Sequence, residues 1–219
     1  MYHLILKDLL LQKKTVAISL VYIIFFIFAL QQVGPVAYVT AIMGFSYMLV
    51  VTACAHEDKS NGDTLMNSLP IRRSQVVLAK YLSVYIYMAL GTIAYVLFIA
   101  LIRNTGIAVT THPITLENFI TALITVTLMM GIYFPIFFKL GYIKSRFLPF
   151  ILFSALYTGM SALGQLMEKN RHKPWAEGIY RFLTSQSDTT APLMLLAGVL
   201  ILALISYGLS LHFYRNREF

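Results

Sequence analysis

Six long apolar runs fill most of the chain, at residues 15–32, 36–55, 81–102, 119–138, 147–167 and 191–214. About 20 mostly apolar residues in a helix cross the roughly 30 Å hydrocarbon layer of a bilayer. Lipid offers no partner to a backbone N–H or C=O, so each run has to be helical. A water-soluble core cannot absorb them: of 219 residues, 58% are hydrophobic and only 12% charged, with a mean hydropathy of +0.74. Soluble domains carry about 25% charged residues. The pattern predicts an all-α, polytopic membrane protein with six transmembrane helices, forming one domain over residues 1–219.

The basic residues set the orientation. If the N-terminus lies inside, the inner side holds Lys7, Lys13, Lys14, Lys59, Arg72, Arg73, Lys80, Lys139, Lys144, Arg146, Arg215 and Arg217. The outer side holds only Arg103, Lys169, Arg171, Lys173 and Arg181. An excess of Lys and Arg marks the cytoplasmic face, so both termini are expected in the cytoplasm of a bacterial cell membrane. The net charge of +8 then serves orientation and contact with anionic lipid, and nucleic acid is not expected as a partner.

Few residues in the spans suggest chemistry. No Asp or Glu stands at mid-depth, and Lys80, Lys139 and Arg146 sit at span ends, where they are expected to snorkel to the interface. This disfavours a proton-coupled carrier, although ion coupling through backbone carbonyls of a broken helix stays an alternative. His3, His56, His112, His172 and His212 show no ligand spacing, and the single cysteine, Cys54, reads as a packing residue. The zinc-protease pattern His-Glu-x-x-His is absent. There is no phosphate-binding Gly-x-x-x-x-Gly-Lys-Ser/Thr sequence either, so any ATP must be bound by another subunit.

Local signals refine the picture. Residues 1–14 set Leu4, Ile5, Leu9 and Leu11 against Lys7, Asp8 and Gln12, which predicts a short amphipathic helix in the inner interface. Gly34-Pro35 predicts a tight outer turn, and Pro135 should kink the fourth span. Ser19, Ser46, Ser83, Ser154 and Ser161 are expected to bond to their own helices or to pack closely. Gly159, Ser161, Ala162 and Gly164 give the fifth span a smooth patch suited to helix packing. In the second outer loop, residues 177–182 could form a surface helix anchored by Trp175 and Tyr180.

The hairpin at residues 56–80 mixes polar and apolar signals most densely. Residues 60–63 offer caps and turn formers, Leu65, Met66 and Leu69 share one side of a short helix, and Pro70 stops it. Such an element can insert into a groove of a cytoplasmic partner or simply pack on the inner leaflet, and the residues alone leave both readings open.

The runs Glu57-Asp58-Lys59-Ser60-Asn61-Gly62, Leu69-Pro70-Ile71-Arg72-Arg73 and Val77-x-x-Lys80-Tyr81-Leu82 resemble the permease subunits of ABC-2 type transporters of Bacillota. The resemblance extends over nearly the whole chain, and is nearest to exporters of amphipathic peptides, including systems for self-protection against peptide antibiotics. It implies that residues 58–70 form a coupling helix that docks on a separate ABC ATPase. The residues it brings to that contact are Asp58, Lys59, Asn61, Leu65, Met66, Leu69, Pro70, Arg72 and Arg73. It implies a connecting helix with Leu4, Lys7 and Leu11 at the interface. The expected partners are cytoplasmic ABC ATPase subunits, a second permease copy or a related permease, and membrane lipids. No cofactor is expected in this chain, with ATP and magnesium held by the ATPase. The rival class is a membrane assembly or sensory protein whose hairpin binds a partner but moves nothing.

Overall fold

The structure, a computed structural model, describes residues 2–34, 36–59, 72–105, 114–170, 173 and 190–216. Among the described residues the secondary structure is helical throughout. The helices are α1 (Tyr2–Leu11), α2 (Lys13–Ala29), α3 (Val36–Lys59), α4 (Arg73–Asn104), α5 (Leu116–Leu140), α6 (Tyr142–Ser145), α7 (Leu148–Lys169) and α8 (Thr190–Arg215). Four segments are long and apolar enough to cross a membrane: α3, α4, α5 and Met194–Arg215 of α8. The protein is therefore an all-α, multi-pass membrane protein. The helices overrun the apolar runs, since α3 continues to Lys59 and α4 already begins at Arg73.

Helix α3 is the centre of the bundle. It is flanked by α2, α4 and α5, and touches α1 and α6 at one end. Of its apolar window 61% is buried, against 17% for α8, which lies along α5 and α4 on the outside. Ala41, Ile42, Phe45, Leu49, Val50 and Cys54 of α3 are within 1% of full burial and meet Ile23, Tyr87, Met129, Tyr133 and Phe134 in one core cluster. Cys54 is free and buried, a packing residue as its setting in the sequence implies. Leu82, Ile93 and Leu97 of α4 and Ile201, Leu204 and Ile205 of α8 point away from the core. In water such exposure would be costly, whereas lipid accepts it.

Several hydroxyl groups inside the apolar segments are satisfied locally, whereas Ser46 Oγ is buried without a hydrogen-bond partner among the described residues. Ser19 donates to the Val16 carbonyl at 2.8 Å, Ser83 to Lys80 at 2.8 Å, Thr52 to Met48 at 2.7 Å and Thr125 to Thr121 at 2.8 Å. A hydroxyl that bonds to the preceding turn loses little on leaving water. The ends of α5 are equally explicit. Thr115 Oγ1 accepts from the Asn118 N–H at 3.3 Å, and Gly141 closes the helix with φ 78°, its N–H reaching the Phe137 carbonyl at 2.8 Å. That left-handed φ suits glycine, which lacks the Cβ that would clash.

Close helix approach depends on glycine at Gly91. A Cβ there would stand 2.8 Å from the ring of Phe45, which is 1% exposed and hemmed in by α3. Among the described residues, a Cβ at Gly208 or Gly159 would meet nothing within 4 Å. Gly91→Ala should therefore cost about 1–3 kcal/mol through overpacking. Gly208→Ala should change stability little. Thermal unfolding of the purified protein in detergent checks the contrast.

Candidate functional site

Helix α1 presents its polar side to the protein. Asp8 and Gln12 are four residues apart, so both fall on one face, and they are 6% and 1% exposed. Leu10 and Leu11, on the other side, are 52% and 59% exposed. The apolar face thus looks outward, and the polar residues that the sequence sets against it turn inward. A charged group draws α1 into that orientation: Lys80, whose side chain is 5% exposed.

Lys80 Nζ lies 2.8 Å from Asp8 Oδ2 and 2.8 Å from Glu57 Oε1. Lys7 Nζ adds a second ammonium, 3.4 Å from Asp8 Oδ1 and 3.7 Å from Glu57 Oε1. Two cations and two anions from α1, α3 and α4 form a compact quartet with no net formal charge. Lys80 does not snorkel, contrary to the expectation from its place at a span end. Two carboxylates from distant parts of the sequence meet it, and the Asp8 contact spans 72 positions. The Gln12 amide and the Tyr87 hydroxyl are also buried, without a hydrogen-bond partner among the described residues.

The same stretch of α4 is held from its other side. Arg73 Nη1 donates to the Arg215 carbonyl at 2.7 Å and to the Tyr214 carbonyl at 3.4 Å. A guanidinium at the last carbonyls of a helix satisfies orphan acceptors and complements the negative end of the helix dipole. Tyr207 Oη donates to the Ser74 carbonyl at 3.4 Å.

A third fastening follows from Pro135. The residue lies inside α5 and has no N–H, so the Gly131 carbonyl one turn earlier loses its helical partner. Ser206 of α8 donates to that carbonyl. The Tyr81 hydroxyl is in turn 2.6 Å from Ser206 Oγ and 2.9 Å from Ser210 Oγ. Adjacent residues of α4, about 100° apart around the helix, therefore bind different neighbours: Lys80 binds α1 and α3, and Tyr81 binds α8. A recess lined by Tyr81, Tyr85, Thr127 and Gly131 offers about 10 Å³, room for one water at most.

Of the coupling residues expected from the sequence, Asp58 and Lys59 end α3, the first half-buried and the second exposed. Arg72 caps α4, its N–H 3.3 Å from Gln75 Oε1 and its carbonyl accepting from the Gln75 N–H at 2.8 Å. Arg73 is bound through Nη1 to the last carbonyls of α8. Asn61, Leu65, Met66, Leu69 and Pro70 lie outside the described residues, as do Trp175 and residues 177–182. Of the interfacial set, Lys7 joins the quartet, Leu11 is exposed, and Leu4 belongs to α1.

The quartet and the hydroxyl chain are what sequence reasoning missed. A signal was present: Val77, Lys80, Val84 and Tyr87 recur at helical spacing, so Lys80 occupies the buried stripe of α4. Among the described residues no group of three or more His, Cys, Asp or Glu could hold a metal ion.

A bundle of long apolar helices held together by charge and hydroxyl contacts defines a polytopic membrane component. The family described as ABC-2 family transporter protein matches residues 3–215, and the chain belongs to that family. It is a membrane component of an ABC-2 transporter, and ATP hydrolysis is not its own activity. Comparison with curated proteins and with solved structures gave no match.

Two predictions follow the geometry. Lys80→Met leaves two buried carboxylates with only the half-exposed Lys7, and should destabilise the protein by about 3–5 kcal/mol. Replacing all three charges, D8N/E57Q/K80M, should recover most of that loss. Ser206→Ala orphans the Gly131 carbonyl at a cost of about 1–3 kcal/mol. Adding Pro135→Ala returns an N–H to that carbonyl, so S206A should cost less in a P135A background. Denaturation of the four proteins of that double-mutant cycle measures the coupling.

Proposed function

We propose that this chain is the permease subunit of an ATP-driven exporter that moves amphipathic peptides or other hydrophobic compounds out of a bacterial cell. Two permease chains, identical or related, enclose the path, and two separate ABC ATPases carry ATP and magnesium. The observation that carries the coupling reading is the fastening on both sides of residues 60–71. Glu57 near the end of α3, and Arg73 and Lys80 at the start of α4, are all tied to other helices. A connection whose two flanks are anchored in the bundle can pass displacement into it. In this reading residues 58–70 form the coupling helix, with Leu65, Met66 and Leu69 in a groove of the ATPase and Asp58, Lys59, Asn61, Pro70 and Arg72 around it.

The six-span topology is part of the proposal. Helix α2 has 17 residues and α7 has 22, each within the roughly 17–25 that suffice for a span. The exposed Ile18, Val21 and Phe25 of α2 suit contact with lipid. Both termini are then cytoplasmic, as the distribution of Lys and Arg requires. Helix α1 lies at the inner interface, its outward Leu6, Leu10 and Leu11 in acyl chains and its polar side held by the quartet.

The apolar outward faces of α4 and α8 favour a greasy or amphipathic cargo over a strongly charged one. Disrupting the hairpin tests the assignment. The L65A/M66A/L69A variant should lose most co-purification of its partner ABC ATPase, and with it export. Undiminished ATPase binding and unchanged export would remove residues 58–70 from the coupling role.

A further inference from the structure

Lys80 does more than neutralise two carboxylates. Its ammonium touches α1, through Asp8, and α3, through Glu57, at 2.8 Å each, while its own backbone belongs to α4. Glu57 stands two residues before the end of α3. Lys80 stands about two turns after the start of α4. The quartet therefore sits at the foot of the two helices joined by residues 60–71. We propose that Lys80 is a positioning residue that locks α1, α3 and α4 into one block at that end, so that force on the connection moves the three helices together.

The physical reason is the stiffness of a buried ion pair. Moving Asp8 or Glu57 away from Lys80 by a few ångströms would leave charges unpaired at low dielectric, and water is not at hand to compensate. Apolar contacts can slide past one another at little cost, as interfaces between packed helices do during shear. Two contacts of 2.8 Å on one ammonium forbid that sliding at this level. Lys7 bridges the same two carboxylates at 3.4 Å and 3.7 Å and closes the quartet on its exposed side. The joint accounts for the inverted face of α1: with Asp8 fixed on Lys80, the exposed leucines must look outward.

The direction of the force rests on the reading of residues 58–70 as an ATPase-docking element, but the joint itself is measurable without it. Spin labels at Leu10→Cys on α1 and Val96→Cys on α4, both exposed positions, in a Cys54→Ala background report their separation by pulsed electron resonance. The sample is the permease–ATPase complex in lipid nanodiscs, without nucleotide and with ATP–vanadate. The native charges should give one narrow separation, the same in both states. K80R should keep it. D8N/E57Q/K80M, which leaves only the half-exposed Lys7 charged, should broaden the separation without nucleotide and let it shift with ATP–vanadate, while ATPase co-purifies in the native amount. A narrow, unchanged separation in the triple variant overturns the proposal, and so does a shift in the protein with native charges. Failure of the docking reading shows elsewhere, as full ATPase binding by L65A/M66A/L69A, and the separations without nucleotide still decide the joint.

Discussion

Lys80 and the two carboxylates that share its ammonium organise one end of the protein. A charge is expensive away from water, and the cost falls only when opposite charges reach it in good geometry. Asp8 and Glu57 do so at 2.8 Å each. Once that arrangement exists, much else follows. The roll of α1 is set, because Asp8 must face inward and Gln12 goes with it. The separation of α3 and α4 at their joined end is set, because Glu57 and Lys80 are in contact. Buried ion pairs add little to stability compared with apolar packing, so their value lies in fixing one arrangement over its neighbours.

A second constraint comes from a missing hydrogen-bond donor. Pro135 cannot bond the Gly131 carbonyl, and lipid offers no substitute. Ser206 supplies the donor, and Tyr81 extends the chain of hydroxyls to Ser210. An interruption in α5 thereby becomes the reason that α8 packs along it in one register. Helix α4 is where the two constraints meet, through the neighbours Lys80 and Tyr81, and Arg73 adds a hold on the last carbonyls of α8. Among the described residues α4 contacts α1, α2, α3, α5 and α8.

The sequence made some of this legible. Helical spans, a membrane setting, local bonding of hydroxyls such as Ser19 and Ser83, and the packing role of Cys54 all follow from periodicity and polarity. The polar stripe of α1 was legible as a stripe, but its direction was not. The usual rule turns polar residues to water, and it fails here because a lysine from α4 competes for Asp8 more strongly than solvent does. The tie of Arg73 to two carbonyls of α8 was not legible either, because a sequence pattern does not say which distant helix end a guanidinium reaches.

What the sequence by itself determined is the class of object. Long apolar runs must be helices in lipid, and no rearrangement of contacts changes that, since backbone hydrogen bonds are satisfied within each segment. Which helix is central, which way α1 faces and which charges are paired were decided only in three dimensions. The quartet draws on residues 8, 57 and 80, and the hydroxyl chain on residues 81, 131, 206 and 210. Contacts over such separations depend on how whole helices pack, and a linear pattern can show that Lys80 needs partners without saying which carboxylates will come.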